Sequence, residues 1–243
     1  MTRLPAAGAI ALACLALAGC ETTQEKSAKL ERAAKHRAVA TNVAGLKIAA
    51  ASSTIRPVAE TALHSSEGTA IAVELANSSS AAVNVPLLVS VGEGASASGY
   101  SNSAPGLAHS LIALSYIPAH SHAIWVDDQV QLAGAPGKAT AKVGAATPAK
   151  GAPPAIAIVS HKLEEEAGGI EVLTGEVANR SSIDQRELVV YAVARRDSKI
   201  VAAGRSVLTS LAAGATGRFQ IFLLGASAKG AALELSAPPS SFE

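Results

Sequence analysis

Short segments in which apolar and polar residues alternate recur along most of this chain, and they constrain its fold more than any other feature. Residues 69–77 and 187–194 are the clearest of them, and clusters of Gly, Ser, Asn and Pro separate them from shorter ones. A period of two is typical of half-buried strands, and no segment from residue 45 onward keeps a helical period. Many short strands with turns at this spacing predict an all-β fold built of β-sandwiches.

Composition narrows the function classes. The chain has 20 Lys and Arg against 19 Asp and Glu, so no basic excess favours binding to nucleic acid. Aromatic residues make up only 3% of the chain, and we therefore expect cores of Val, Ile, Leu and Ala. The two cysteines are Cys14 and Cys20, which leaves no pair for a disulfide after residue 20 and no cysteine nucleophile there.

Two parts of the chain repeat one pattern. Residues 73–80 (Val-Glu-Leu-Ala-Asn-Ser-Ser-Ser) match residues 175–182 (Gly-Glu-Val-Ala-Asn-Arg-Ser-Ser). Asn suits turns because its side chain bonds nearby backbone groups and tolerates left-handed conformations. Further on, residues 117–120 followed by Trp125 match residues 211–214 followed by Phe219. In each repeat, we predict that a strand ends in an Asn-Ser turn and that the chain returns through a corner to a strand with one inward-facing aromatic residue. This pattern predicts that Trp125 lies in the core rather than against a ligand.

The N-terminal segment carries a targeting pattern. Arg3 precedes a short apolar run, which is typical of a secretory signal and too short to span a bilayer comfortably. The run closes on Leu17-Ala18-Gly19-Cys20, which resembles the lipobox of bacterial lipoproteins. That resemblance implies removal of residues 1–19 and acylation of Cys20, where two or three chains anchor firmly because each buried CH₂ adds about 0.8 kcal/mol. The alternatives are an ordinary signal peptide with a chance cysteine and an uncleaved anchor.

The resemblance also predicts a location. Residues 20–44 are polar and charged and are predicted to be the lipidated tether, and Glu21 after the cysteine does not specify retention at an inner membrane. We expect the extracytoplasmic face of the cell membrane, or the outer membrane if the source is Gram-negative.

Beyond the tether, two domains are predicted. Residues 45–146 form the first sandwich, which carries a long inserted loop; residues 147–154 form a Pro-rich, semi-rigid linker; and residues 155–243 form the second sandwich.

The second domain resembles the FxLYD family of bacterial extracellular immunoglobulin-like domains. The residues that carry the resemblance are 175–179, 189–193, 196–201 and 211–214 with Phe219. Ser198 departs from the family, in which Gly is commoner at this hairpin. The family implies an immunoglobulin-like sandwich in the cell envelope and no catalytic residues. The first domain looks like the same fold.

Candidate catalytic and metal-binding residues are sparse. His120 and His122 form an H-x-H pair without an evident third ligand, and we expect exposed imidazoles in a turn rather than a metal site. Asp127 and Asp128 are neighbours, but adjacent residues on a strand point to opposite faces, which weakens an acid–base or calcium pair. No G-x-S-x-G elbow and no phosphate-binding glycine loop occurs in the sequence. We therefore predict no enzyme activity, no cofactor and no metal.

One loop is the best candidate for a binding surface. Residues 92–110 are rich in Gly and Ser, and loops of this length inside compact domains are often functional. Tyr100, Asn102 and Leu107 within it suit contact with an envelope protein or a glycan, although a flexible insertion is the alternative. The sequence predicts a monomeric, non-catalytic binding or scaffolding lipoprotein, with a ligand- or metal-binding lipoprotein that serves a transporter as the alternative.

Overall fold

The computed structural model describes residues 45–93, 96–149, 151–166 and 169–242, and these residues belong to one compact unit. The signal segment, Cys20 and the tether lie outside them. The strands are β1 (Ile55–Ser65), β2 (Gly68–Asn77), β3 (Val83–Glu93), β4 (Ser96–Ser101), β5 (Ala113–Ile117), β6 (His122–Val130), β7 (Pro136–Val143), β8 (Thr147–Pro148), β9 (Ile156–Glu166), β10 (Ile170–Asn179), β11 (Gln185–Arg196), β12 (Lys199–Leu211), β13 (Thr216–Phe222), β14 (Leu224–Gly225) and β15 (Ala232–Ser236). A single helical turn, α1 (His109–Ile112), precedes β5. The predicted all-β fold is confirmed.

The strands of the described part form four antiparallel sheets. Sheet I is centred on β3, which pairs with β4, β5, β7 and β8, and sheet II has the order β1-β2-β6. Sheet III has the order β14-β12-β11-β15, and sheet IV has the order β13-β10-β9. One hydrophobic core joins residues of sheets I, II and III, and a second core joins sheets III and IV. The sheets are therefore stacked in the order I, II, III, IV.

Strands β2 and β11 are buried on both faces, whereas their alternating sequences predicted half-buried strands. In β11, residues 188, 190, 192 and 194 belong to the core with sheet IV. Residues 189, 191 and 193 belong to the core that includes sheet II. Alternate side chains of a strand point to opposite faces, so a central layer of the stack contributes to two cores at once.

The sequence repeat is reproduced in the hydrogen bonds of two buried asparagines. The Asn77 amide donates to the carbonyl oxygens of residues 81, 117 and 118, and its Oδ1 accepts from the backbone N–H and the hydroxyl of Ser79. The Asn179 amide donates to the carbonyls of residues 183, 211 and 212, and its Oδ1 accepts the same two bonds from Ser181. Each asparagine thus joins its own turn to the corner that returns the chain to the neighbouring sheet.

Strand register repeats as well. Trp125 pairs with Val73, and Phe219 pairs with Gly175, so the two inward aromatics occupy equivalent positions. Trp125 is fully buried and Phe219 is 4% exposed, which confirms the predicted core position of Trp125. Gly175 leaves room for the Phe219 ring, whose edge would lie 2.4 Å from a Cβ at that position.

Both repeats carry a bulge at the same place on their first strand. Val58 is skipped by the register after Pro57, and Val159 is skipped in the same way after Ile158. Both valines are exposed, by 40% and 50%. β1 and β9 are edge strands, and a bulge on an edge strand hinders pairing with another chain.

The predicted loop over residues 92–110 is wrong as secondary structure. β3 continues to Glu93, β4 runs back beside it, and α1 begins at His109. β3 lies at the centre of sheet I although it contains Pro86, which has no N–H to donate to a neighbouring strand. On one side of β3 the neighbour changes from β5, which ends its pairing at Pro86, to β4, which begins at Ser90.

Asn102 fills the gap between these neighbours. Its Nδ2 donates to Leu87 O at 2.8 Å and its Oδ1 accepts from Val89 N at 2.7 Å. The side chain therefore satisfies the backbone of β3 as a neighbouring strand would, which a composition rich in Gly and Ser does not reveal.

Candidate binding cleft between the repeats

The three residues predicted for the binding loop do not form one outward surface. Asn102 is fully buried, and its amide is used by β3 and by Leu111 O. Tyr100 is half-buried and its hydroxyl donates to Asp127 Oδ2 at 2.5 Å. Leu107 is half-buried, and the exposed residues around it are 103–106, 108 and 109.

Asp127 and Asp128 point to opposite faces of β6, as the strand geometry predicted. Asp127 is fully buried on the side of Tyr100, and its Oδ1 accepts from Gln129 N at 2.9 Å. Burial raises the pKa of Asp127, and the hydrogen bond from Tyr100 and the attraction of Arg205 offset this only in part. Burial and the adjacent carboxylate also raise the pKa of Tyr100.

Asp128 faces sheet III, where it is bound by Arg205 of β12. Its Oδ2 accepts from the backbone N–H of Arg205 at 3.0 Å and its Oδ1 accepts from Nε at 3.1 Å. Arg205 is 7% exposed. Burial by itself would lower the pKa of Arg205, but the attraction of Asp128, that of neighbouring groups such as Asp127 and the hydrogen bond to Asp128 together outweigh it, so the pKa lies above its usual value. The guanidinium is therefore a permanent charge, and among the described residues it is compensated by carboxylates of the first repeat, across the contact between the two repeats.

A second arginine joins the same two sheets. Arg195 Nη2 donates to Glu74 Oε1 of sheet II at 2.7 Å, and its Nε donates to Glu234 Oε2 at 2.9 Å. Arg195 and Glu74 are both largely shielded, with about a fifth of each side chain exposed. Two charged contacts thus fix sheet III against sheet II around a largely apolar centre.

A cleft of about 240 Å³ opens beside the Arg205 contact. It is lined by α1 and β5 of the first repeat, by β11 of the second repeat and by the C-terminal segment. The lining residues are His109, Ser110, Ala113, Ser115, Arg186, Glu187, Val189, Tyr191, Pro238, Ser240 and Ser241.

Internal hydrogen bonds hold each wall of the cleft. Trp125 Nε1 donates to Ser110 O at 2.9 Å, and Arg205 Nη1 donates to Ser110 Oγ at 3.2 Å. Gln185 is fully buried and its Oε1 accepts from the backbone N–H of Ser240 at 2.9 Å, while Ser115 Oγ donates to Pro239 O at 2.7 Å. The C-terminal segment is therefore a fixed wall of the cleft.

Sequence reasoning missed this cleft. Of the predicted loop, only His109 and Ser110 at its end line the cleft, and Tyr191 was assigned to a strand of a separate domain. The residues meet because sheet III packs on sheet II, and no local pattern records that contact.

The histidine pair does not acquire ligands in the described part of the chain. His120 and His122 are both exposed, and His120 has a left-handed backbone with φ 49°, at the corner position that Gly214 (φ 70°) occupies in the second repeat. Among the described residues, no group of three His, Cys, Asp or Glu side chains could hold a metal ion. The same residues contain no helix that is long and apolar enough to cross a membrane.

No match is found when the chain is compared with models of known protein families or with curated proteins. The resemblance of the second repeat to the FxLYD family and that of the N-terminal segment to lipoproteins stay predictions.

Proposed function

We propose that this chain is a membrane-anchored, extracytoplasmic lipoprotein that acts as a non-catalytic binding module in the cell envelope. The cleft between the repeats is the observation that carries the binding role, because its walls are fixed by internal hydrogen bonds while several of its polar groups face solvent. The lipobox-like segment Leu17-Ala18-Gly19-Cys20 carries the anchoring role.

The chemistry of the cleft favours binding over catalysis. Its serines are paired with an arginine, a backbone carbonyl, a backbone N–H and a glutamine, and none of these bonds joins a hydroxyl to a histidine. The buried carboxylate of Asp127 is bonded to Tyr100 on the far face of β6. A nucleophile next to its base is the arrangement that hydroxyl chemistry requires, and the described walls of the cleft do not place one there.

The outer face of sheet IV, at one end of the stack, supports a monomer. The outer face of sheet IV carries the ion pairs Lys162–Glu164 and Arg218–Glu176. By register, Arg218 occupies the position of Ile124 in sheet II, where the equivalent face is buried against sheet III. A charged end face prevents the stack from continuing into another copy.

Anchoring is tested by metabolic labelling with an alkynyl fatty acid in a bacterial host. We expect the label on the native chain and its loss in Cys20→Ser, with release of the protein from the membrane fraction. Cys14→Ser is the matched control, because Cys14 lies in the segment that cleavage would remove. Label that depends on Cys14, or none on the native chain, would overturn the lipid anchor.

The binding role is tested by site-specific photo-crosslinking in cells. A crosslinker at exposed Ala108, next to His109 at the cleft, is compared with one at exposed Ala213 in the second repeat. A discrete adduct formed only from position 108 is expected. The same adducts from both positions, or none, would contradict a binding role for this surface.

A ligand-binding lipoprotein that serves a transporter is the second candidate function, because the same cleft can enclose a small molecule. An adduct between position 108 and a membrane permease would favour it.

A further inference from the structure

Tyr191 is the least expected member of the cleft lining. Its side chain is 2% exposed, and no described group is hydrogen-bonded to its hydroxyl. Yet no fully enclosed side-chain nitrogen or oxygen of the described residues lacks a partner. The Tyr191 hydroxyl therefore reaches the solvent of the cleft that this residue lines, and a nearly buried donor is left open to a ligand.

Other polar groups of the cleft are half-used. Ser110 Oγ accepts from Arg205 and Ser241 Oγ accepts from Arg186 N, so each hydroxyl keeps its proton to donate. Ser115 Oγ donates to Pro239 O and keeps its lone pairs to accept. The cleft therefore offers donors and acceptors side by side.

Charge in the cleft is balanced. The Arg186 guanidinium and the Glu187 carboxylate are exposed neighbours, and no hydrogen bond to either side chain comes from the described residues. Glu187 has a left-handed φ of 50° within β11, between Arg186 and Leu188, which both pair with β12. Because Arg186 and Glu187 are both exposed and line the cleft, they place a guanidinium and a carboxylate at its edge.

This set of groups selects the chemistry of the ligand. A carboxylate or a fully ionised phosphate group only accepts and would leave the acceptors and Glu187 unmatched, whereas an ammonium only donates and would leave Tyr191 and Arg186 unmatched. A neutral molecule whose hydroxyls each donate and accept matches the whole lining. The volume of about 240 Å³ lies just below the common range of about 300–1,000 Å³ for small-molecule sites, which suits one ring rather than a long chain.

We propose that the cleft binds one neutral sugar residue through the Tyr191 hydroxyl, Arg186, Glu187 and the surrounding serines. The inference deepens the binding role proposed above and rests on it. The sugar is either a free monosaccharide or the end residue of a glycan, which share this chemistry.

The test is saturation-transfer NMR on the full chain purified from membranes in detergent. The probes are glucose, galactose, mannose, N-acetylglucosamine and a disaccharide of each, with acetate and phosphate as anions. We expect saturation of at least one sugar and none of the anions. Tyr191→Phe is expected to weaken the binding by about 2- to 10-fold through the loss of one hydrogen bond. Tyr116→Phe is the matched control outside the cleft and is expected to leave the affinity unchanged.

Glu187→Gln separates the proposed ligand from an anion. Loss of a carboxylate acceptor would weaken the binding of a sugar, whereas loss of a negative charge would strengthen the binding of an anion. The sugar site would be overturned if no sugar is saturated, or if the native chain and Tyr191→Phe bind sugar with equal affinity. Preferred binding of acetate or phosphate would also overturn it. If the sugar fails while the adduct from position 108 persists, the ligand chemistry is wrong and the binding module stands. A stronger signal from the disaccharide identifies the end of a glycan as the source.

Discussion

Replacing Asn179 by Ala tests whether the repeated asparagine bonds hold each half of the fold together. The side chain is 1% exposed, and its amide lies within 2.8–3.2 Å of three carbonyl oxygens. An amide has two protons, so these three contacts amount to at most two full hydrogen bonds. The two bonds accepted from Ser181 bring the total to four.

At about 1 kcal/mol for each net hydrogen bond, Asn179→Ala is expected to cost about 4 kcal/mol. Typical domains have a free energy of unfolding of about 5–15 kcal/mol, so this loss is large. With an m-value of about 3 kcal/mol/M, the urea midpoint would fall by about 1.3 M. Asn77→Ala is expected to cost about the same, since its bonds are equivalent.

Two further variants sharpen the measurement by urea unfolding. Asn179→Asp keeps the acceptor for Ser181 but places a negative charge against three carbonyl oxygens, so it should cost at least as much as Ala at neutral pH. Asn84→Ala is the control, because Asn84 is only half-buried and its one side-chain bond is to Thr147 at 3.3 Å. If Asn179→Ala costs under about 1 kcal/mol, or no more than Asn84→Ala, the reasoning is refuted.

Three other predictions concern buried charge and backbone conformation. Because the pKa of Asp127 is raised above 3.8 in the folded state, the folded chain binds the Asp127 proton more tightly than the unfolded chain, and stability should rise as the pH falls through the folded pKa toward 3.8. Asp127→Asn should abolish that part of the pH dependence of stability in urea titrations. An unchanged dependence of stability on pH would contradict this expectation. Arg205→Ala keeps the backbone N–H that donates to Asp128 but removes the cation paired with this carboxylate. It should cost about 3–5 kcal/mol, measured as a drop in the urea midpoint. A loss as small as that of an exposed residue would show that the contact is dispensable. Ser198 has φ 65° in the two-residue turn between β11 and β12. Because this left-handed conformation is costly for residues other than glycine, Ser198→Gly should stabilise the chain by about 1 kcal/mol. A lower thermal midpoint of the variant would count against this.

The sequence by itself determined the elements that depend on local pattern. Period-two alternation predicted the strands, and the repeated Asn-Ser segments predicted equivalent turns at Asn77 and Asn179. Trp125 could be assigned to the core because it aligned with Phe219. These features could be predicted because they depend only on the alternation of apolar and polar residues or on a side chain that reaches nearby backbone groups.

Only the tertiary structure decided which faces meet. Local alternation in β2 and β11 cannot tell a half-buried strand from a strand packed on both faces, since the second core is supplied by residues far along the chain. The Arg205 contact with Asp128 spans 77 positions, and the cleft collects residues from both repeats and the C-terminal segment. Asn102 was visible as a polar residue in a Gly- and Ser-rich stretch, yet its role follows from a gap between β5 and β4. Such sites arise from packing between segments that are distant in the sequence, and the spacing of residues along the chain does not encode that packing.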